Sequence, residues 1–121
     1  MKQPSQRQLR VGEQIRGVVS DLLRRGHFSE KILINHAADV IVGGVDAAPD
    51  LKSAKVHVMS INGIELKDIL PALNANRHYF QKELNNQLNI KFTPKLHFIE
   101  DESFAEAQRI EKLLNSLPKS G

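Results

Sequence analysis

The chain has 121 residues, enough for one compact domain and too few for two full ones, and its 17 Lys and Arg against 14 Asp and Glu give a formal net charge of +3. A hydrophobic fraction of 40% supplies a core, a charged fraction of 26% argues against general disorder, and the absence of cysteine excludes a disulfide scaffold, a thiolate zinc site and a cysteine nucleophile. No run approaches the roughly 20 apolar residues that cross a bilayer, and residues 1–10 are polar and basic without the apolar stretch of a secretory signal, so a cytoplasmic protein without a membrane partner is expected.

Residues 1–6 read as a polar tail. Over 7–25 the spacing of Val11, Ile15, Val18 and Leu22 predicts an amphipathic helix, with Arg10, Arg16 and Arg24 on its other half and Gly26 at its stop. Residues 27–36 hold a short apolar patch, Ile32 to Ile34, whose structure the pattern leaves open. Two strands follow. The first spans about 39–46, where Gly43-Gly44 suggests a bulge or a close backbone approach. The second spans about 54–61, with Ala54, Val56 and Val58 alternating against Lys55 and His57 as in a strand buried on one side. The turn-rich segment between them has the length of a hairpin connector.

A helical region over about 65–89 carries Leu66, Ile69, Leu73, Phe80, Leu84 and Leu88 on one stripe, interrupted by Asn76, Arg77 and His78. Pro71 either kinks this region or opens a new helix at its first turn, and two helical pieces are expected in place of one rod. Thr93-Pro94 leads into a third strand over about 95–99. Ser103 and Glu106 have capping-box spacing ahead of a last stripe, Phe104, Ala107, Ile110, Leu114 and Leu117, and 118–121 reads as a frayed tail. The order α-β-β-α-α-β-α, without repeats or linkers, predicts a single α+β domain over 1–121, with helices covering one face of a three-stranded sheet.

Few residues suggest catalysis. The five histidines show no i, i+4 pair and no HExxH, although His57 and His97 both fall on strands and are possible neighbours; exposed strand histidines explain them better than a metal site. GxSxG, Walker A and GxGxxG motifs are absent. Asp46 and Asp50 suit turn capping, and Glu100, Asp101 and Glu102 suit the dipole of a following helix. No enzyme, cofactor or small-molecule substrate is indicated.

Charge is the informative feature. Residues 1–31 hold seven basic against three acidic side chains and residues 71–98 four against one, while the intervening and final stretches are acidic. Two basic blocks form a phosphate-facing surface if the fold brings them together; otherwise they are solvated helix faces. The candidate RNA-contacting residues are Arg7, Arg10 and Arg16 on the first helix, Asn76, Arg77, His78 and Lys82 around the helical break, and Lys91 and Lys95 at the entry to the last strand. Tyr79 and Phe92 are the two aromatics with a case for stacking on bases, against the plainer reading that each packs at the core or its edge.

Several segments, in order, carry a resemblance. Arg10-Val11 opens the first helix; Pro49-Asp50-Leu51-Lys52-Ser53-Ala54-Lys55-Val56-His57-Val58 enters the second strand; Leu73-Asn74 precedes the break; Pro94-Lys95-Leu96-His97-Phe98 is followed by Asp101. Over about residues 7–114 this pattern resembles the ribosome-binding factor A family. The resemblance implies a type II KH-like fold lacking the nucleotide-clamping GxxG loop. It also implies a monomer without cofactor that binds the small (30S) ribosomal subunit late in assembly, assists processing of its 16S rRNA including the 5′ end, leaves before translation, and matters for growth in the cold. The family pattern has Ala-x-Gly between the middle helices, where this chain has Asn76-Arg77-His78, and commonly an Arg where this chain has Gln81. Asn tolerates left-handed backbone, which leaves a kink open to it. The other reading of the basic surface is a protein-interaction module for an acidic partner.

Overall fold

The computed structural model describes residues 3–61 and 65–101. Ser5 opens its first helix. The Ser5 hydroxyl accepts from the Gln8 N–H at 3.1 Å, and Gln8 Oε1 accepts from the Ser5 N–H at 2.8 Å, a complete capping box. Helix α1 therefore runs Gln6–Arg25, starting one residue before the apolar stripe implies. Val11, Ile15, Val18 and Leu22 are buried as the spacing predicts, joined by Val19 and Leu23. Where α1 crosses the sheet it presents Gly12, and a Cβ there would stand 2.8 Å from the Val45 carbonyl oxygen. A bare backbone is what lets the helix sit this close.

Gly26 ends α1 where a stop is predicted, but for a different reason. Its φ of −69° is not left-handed. A Cβ on it would run into the Leu22 carbonyl oxygen and come within 2.9 Å of Tyr79 Oη, so the bare backbone serves both the helix end and the tyrosine packed on it. The open stretch after it folds as α2, Lys31–His36, and a 3-10 turn, Ala37–Asp39. In the apolar patch, Leu33 is fully buried, Ile32 partly, and Ile34 stays exposed.

Strands β1, Val40–Ala47, and β2, Ser53–Ser60, pair antiparallel. Their register slips between Val42 and Gly44, which is the bulge the glycine pair suggests. The close approach is present as well, because a Cβ on Gly43 would collide with the Asp101 carboxylate. Leu51 takes φ 60° in the connector while its N–H donates to the Ala48 carbonyl at 2.8 Å. Strand β3, Lys95–Glu100, lies parallel to β2, giving the order β1-β2-β3. Ala54, Val56, Val58, Leu96 and Phe98 are buried on the inner face, whereas Lys55 and His97 are exposed on the other. The described helices thus cover one face of a mixed sheet, consistent with the expected KH-like α+β fold.

The middle helical region does divide in two: α3, Leu66–Ala75, and α4, Arg77–Gln87. Pro71 lies inside α3 and neither starts nor breaks a helix. The break is one residue, Asn76, at φ −101° and ψ 14°, in the bridge region and not the left-handed one. Asn76 Nδ2 donates to the Ala72 carbonyl at 2.8 Å and to Glu30 Oε1 at 3.0 Å, so its side chain pins the kink. Ile69, Leu73, Phe80 and Leu84 are fully buried along the predicted stripe. Phe80 packs against Phe98 at 5.0 Å and Phe28 at 5.8 Å, tying helices to sheet through aromatic contacts.

The outer edge of β3 is held by side-chain amides. Asn74 Oδ1 accepts from the Phe98 N–H at 2.9 Å and Asn74 Nδ2 donates to the Phe98 carbonyl at 3.0 Å. Gln81 Oε1 accepts from the Leu96 N–H at 3.0 Å. Where the resemblance leads one to expect a cation, Gln81 satisfies a backbone donor. The last predicted helix, with Ser103, Glu106 and the stripe from Phe104 to Leu117, and the tail 118–121 lie outside the described residues.

Candidate nucleic-acid interface

The capping box fixes the start of α1, and Gln8 Nε2 donates to the Ala47 carbonyl at 3.0 Å, anchoring that start beside the end of β1. Arg7, Arg10 and Gln14 then share a helix face at i, i+3 and i+7. This face forms one wall of a groove of about 690 Å³. The β1–β2 connector forms the second wall with Asp50, Leu51 and Lys52, and the α4–β3 connector the third with Asn89, Lys91 and Phe92. Two bonds join and brace these connectors: the Lys95 N–H donates to the Lys52 carbonyl at 2.9 Å, and Thr93 Oγ1 donates to Asn85 Oδ1 at 3.2 Å.

Arg7, Arg10, Lys52 and Lys91 are exposed, and none of the four is in an ion pair among the described residues. The acid on the rim, Asp50, turns its Oδ1 to the Lys52 N–H at 3.0 Å, as a turn-capping aspartate does. Four cations converging from three segments form a positive pocket suited to phosphate oxygens. Phe92, 65% exposed, stands at the rim with Lys91 Nζ 5.6 Å from its ring centroid.

The nine residues marked by sequence do not form one constellation. Arg7, Arg10 and Lys91 meet at the groove, and Lys95 lies beside it, exposed, one backbone bond from Lys52. Arg16 is midway along α1 and half exposed, 3.4 Å from Glu13. Asn76, Arg77 and His78 sit at the opposite end of α1, where Tyr79 Oη accepts from the His27 N–H at 3.0 Å. There the Asn76 side chain is committed to the kink, Arg77 is half-buried, and His78 and Lys82 are exposed on one face of α4.

Lys52 is the groove residue that sequence reasoning passed over. Only the parallel pairing of Ser53 with Lys95 carries it to the α4–β3 connector, and no local pattern reports that pairing. Tyr79 is not a free stacking platform, because its ring packs on Phe28 at 5.4 Å and Phe80 at 5.7 Å. Phe92 retains that possibility. His57 and His97 lie on neighbouring strands but out of register, and His57 Nε2 is 2.7 Å from Asp46 Oδ2. Among the described residues no group of three potential metal ligands occurs, and no helix is long and apolar enough to cross a membrane.

The resemblance segments have mainly structural work. Asn74 grips Phe98, the stretch from Pro94 to Phe98 is the entry to β3 and the strand itself, and Asp101 covers the Gly43 bulge.

A family model described as Ribosome-binding factor A matches residues 7–114. Curated relatives of that description include one from Afipia carboxidovorans, 44% identical over 112 residues covering 93% of this chain and 78% of the relative. Another, from Rhodopseudomonas palustris, is 44% identical over 112 residues, 93% of this chain and 80% of the relative. The crystal structure of ribosome-binding factor A from Thermus thermophilus superposes with a TM-score of 0.63 at 16% identity, covering 78% of this chain and 97% of that one. A homology model of the T. thermophilus factor, fitted into a cryo-EM map of its 30S complex, gives a TM-score of 0.59 at 16% identity over 78% and 96% of the two chains. The structural likeness establishes the shared fold; with the family model spanning residues 7–114 and relatives at 44% identity across 93% of its length, the chain belongs to the ribosome-binding factor A family.

Proposed function

We propose that this chain docks on the free small (30S) ribosomal subunit through phosphates of 16S rRNA, acts late in maturation, and assists processing of the rRNA 5′ end. The observation that carries this reading is the convergence of Arg7, Arg10, Lys52 and Lys91 on one groove without internal ion pairs among the described residues. The 30S complex of the T. thermophilus relative supports the choice of partner. The protein works by binding and not by chemistry: cations fix its position on the phosphate backbone, and binding favours the rRNA conformation that fits its shape. It acts as a cytoplasmic monomer and needs no cofactor or small-molecule substrate.

The test is co-sedimentation of the full chain with free small subunits, large subunits and whole ribosomes at low and high salt. Selective binding to small subunits is expected, with log affinity falling against log salt by about 0.7 to 0.9 per phosphate contact. Arg10→Glu with Lys91→Glu should weaken it at the groove. Arg77→Glu with Lys82→Glu tests whether the break and the exposed face of α4 contribute a second contact. No binding to small subunits at low salt overturns the proposal, and salt-insensitive binding would redirect it to a protein partner.

A further inference from the structure

We infer that the groove between α1 and the two connectors seats an unpaired RNA nucleotide, its base stacked on Phe92 and its flanking phosphates on Arg7, Arg10, Lys52 and Lys91. This deepens the proposed function and rests on it. Phosphate contacts alone ask only for exposed cations, a demand that any duplex meets as well as a single strand. Here the cations line a concavity of about 690 Å³, a volume within the range that holds a ligand of nucleotide size.

An exposed phenylalanine is the second observation. Phe92 is 65% exposed, more than any other large hydrophobic side chain among the described residues, while every other phenylalanine there packs in or against the core. It is not a floppy ornament. Phe92 sits between Lys91 and Thr93, and Thr93 is bonded to Asn85, while the next residue, Pro94, is fully buried. The ring is therefore displayed from an anchored connector. Lys91 Nζ at 5.6 Å places a cation next to the same ring, the pairing of stacking platform and charge that single-strand binding uses. A base in a duplex has both faces covered by its neighbours and cannot stack on such a ring without leaving the helix. The groove therefore selects single-stranded over double-stranded RNA.

Fluorescence anisotropy tests this with the full chain, a labelled oligouridylate, and a blunt RNA duplex with the same number of phosphates. Phe92→Ala should weaken oligouridylate binding by roughly five- to 150-fold, the range seen when a stacking aromatic is removed, and leave duplex binding unchanged. Phe92→Trp should restore it. The salt slope should stay the same in Phe92→Ala and fall by about 0.7 in Lys91→Gln, which separates the ring from the charge. Because Phe92 lies outside the core, circular dichroism should report unchanged folding. Unaltered oligouridylate binding by Phe92→Ala, or equal weakening of both RNAs, overturns the inference and leaves the wider reading standing. Failure of the wild-type chain to bind oligouridylate at low salt also overturns the inference, while the wider reading stands or falls on co-sedimentation with small subunits.

Discussion

Asn74 offers the sharpest test of how the fold is held. Its amide lies against the outer edge of β3 and satisfies both the N–H and the carbonyl of Phe98, at 2.9 and 3.0 Å, with a further 3.3 Å contact to the Leu70 carbonyl. Phe98 is 2% exposed, so water has poor access to its backbone groups. Asn74→Ala would strand one buried donor and one buried acceptor. Each unsatisfied group costs about 1–3 kcal/mol, and partial hydration at a sheet edge favours the lower half, so a loss of about 2–4 kcal/mol is expected. Against a typical stability of about 5–15 kcal/mol this is a large fraction. Urea denaturation followed by circular dichroism should show a lower midpoint with unchanged slope. Asn74→Asp is the companion variant. It keeps the acceptor for the Phe98 N–H but sets an anion against two carbonyls, which raises its carboxyl pKa in the folded state. The folded state then binds the proton more tightly than the unfolded one, so this variant should gain stability as pH falls through its folded pKa and lose it as pH rises. A cost below about 0.5 kcal/mol for Asn74→Ala, the range of ordinary surface changes, would refute the reasoning.

Two glycines of α1 should respond in opposite directions. Gly17 has nothing within 4 Å of a built Cβ, so Gly17→Ala should stabilise by about 0.5–1 kcal/mol, whereas Gly12→Ala meets the Val45 carbonyl at 2.8 Å and should lower stability by about 1–2 kcal/mol net of helix propensity; paired thermal melts check both. Pro71 is exposed inside α3, so Pro71→Ala restores one helical N–H and should raise stability by about 1–2 kcal/mol after allowing for the freer unfolded chain, readable as a higher melting temperature. The Arg25 guanidinium, 2.7 Å from Asp21, holds the Asp21 carboxyl below its ordinary range. A depressed folded pKa gives stability that is present above the unfolded value and lost as pH falls through the folded one, so Asp21→Asn should flatten the acid limb of a stability–pH profile slightly, the pair being exposed.

Periodicity made most of the fold legible. The stripe through Val11, Ile15, Val18 and Leu22, the alternation at Ala54, Val56 and Val58, and the gap at Asn76 each correspond to an element found in place. Local signals misassigned causes where the cause was distant. Gly26 reads as a helix stop but also leaves room for Tyr79, fifty-three positions on, and Gln81 looks like a lost cation but closes the edge of β3. The candidate site was half legible. Charge marked Arg7, Arg10 and Lys91, because long cations near helix starts and connectors are visible as composition. It could not report that Lys52 joins them, since that depends on the parallel β2–β3 register, nor that Arg77 and His78 lie at the other end of α1. A basic block in sequence becomes one patch or two according to which helix end it abuts.

That separation has a consequence. Helix α1 runs unbroken for 20 residues, a span of roughly 30 Å. Arg7 and Arg10 stand near its beginning, while Tyr79 and Asn76 abut the residues just past its end. The helix is a stiff rod that sets the basic groove at one tip and the Asn76–Tyr79 break at the other. A partner that touches both tips must offer two footholds at that fixed spacing, and one whose halves have not yet been drawn to it is held at a single tip. Through α1 the fold fixes the spacing between the groove at one end and the helical break at the other.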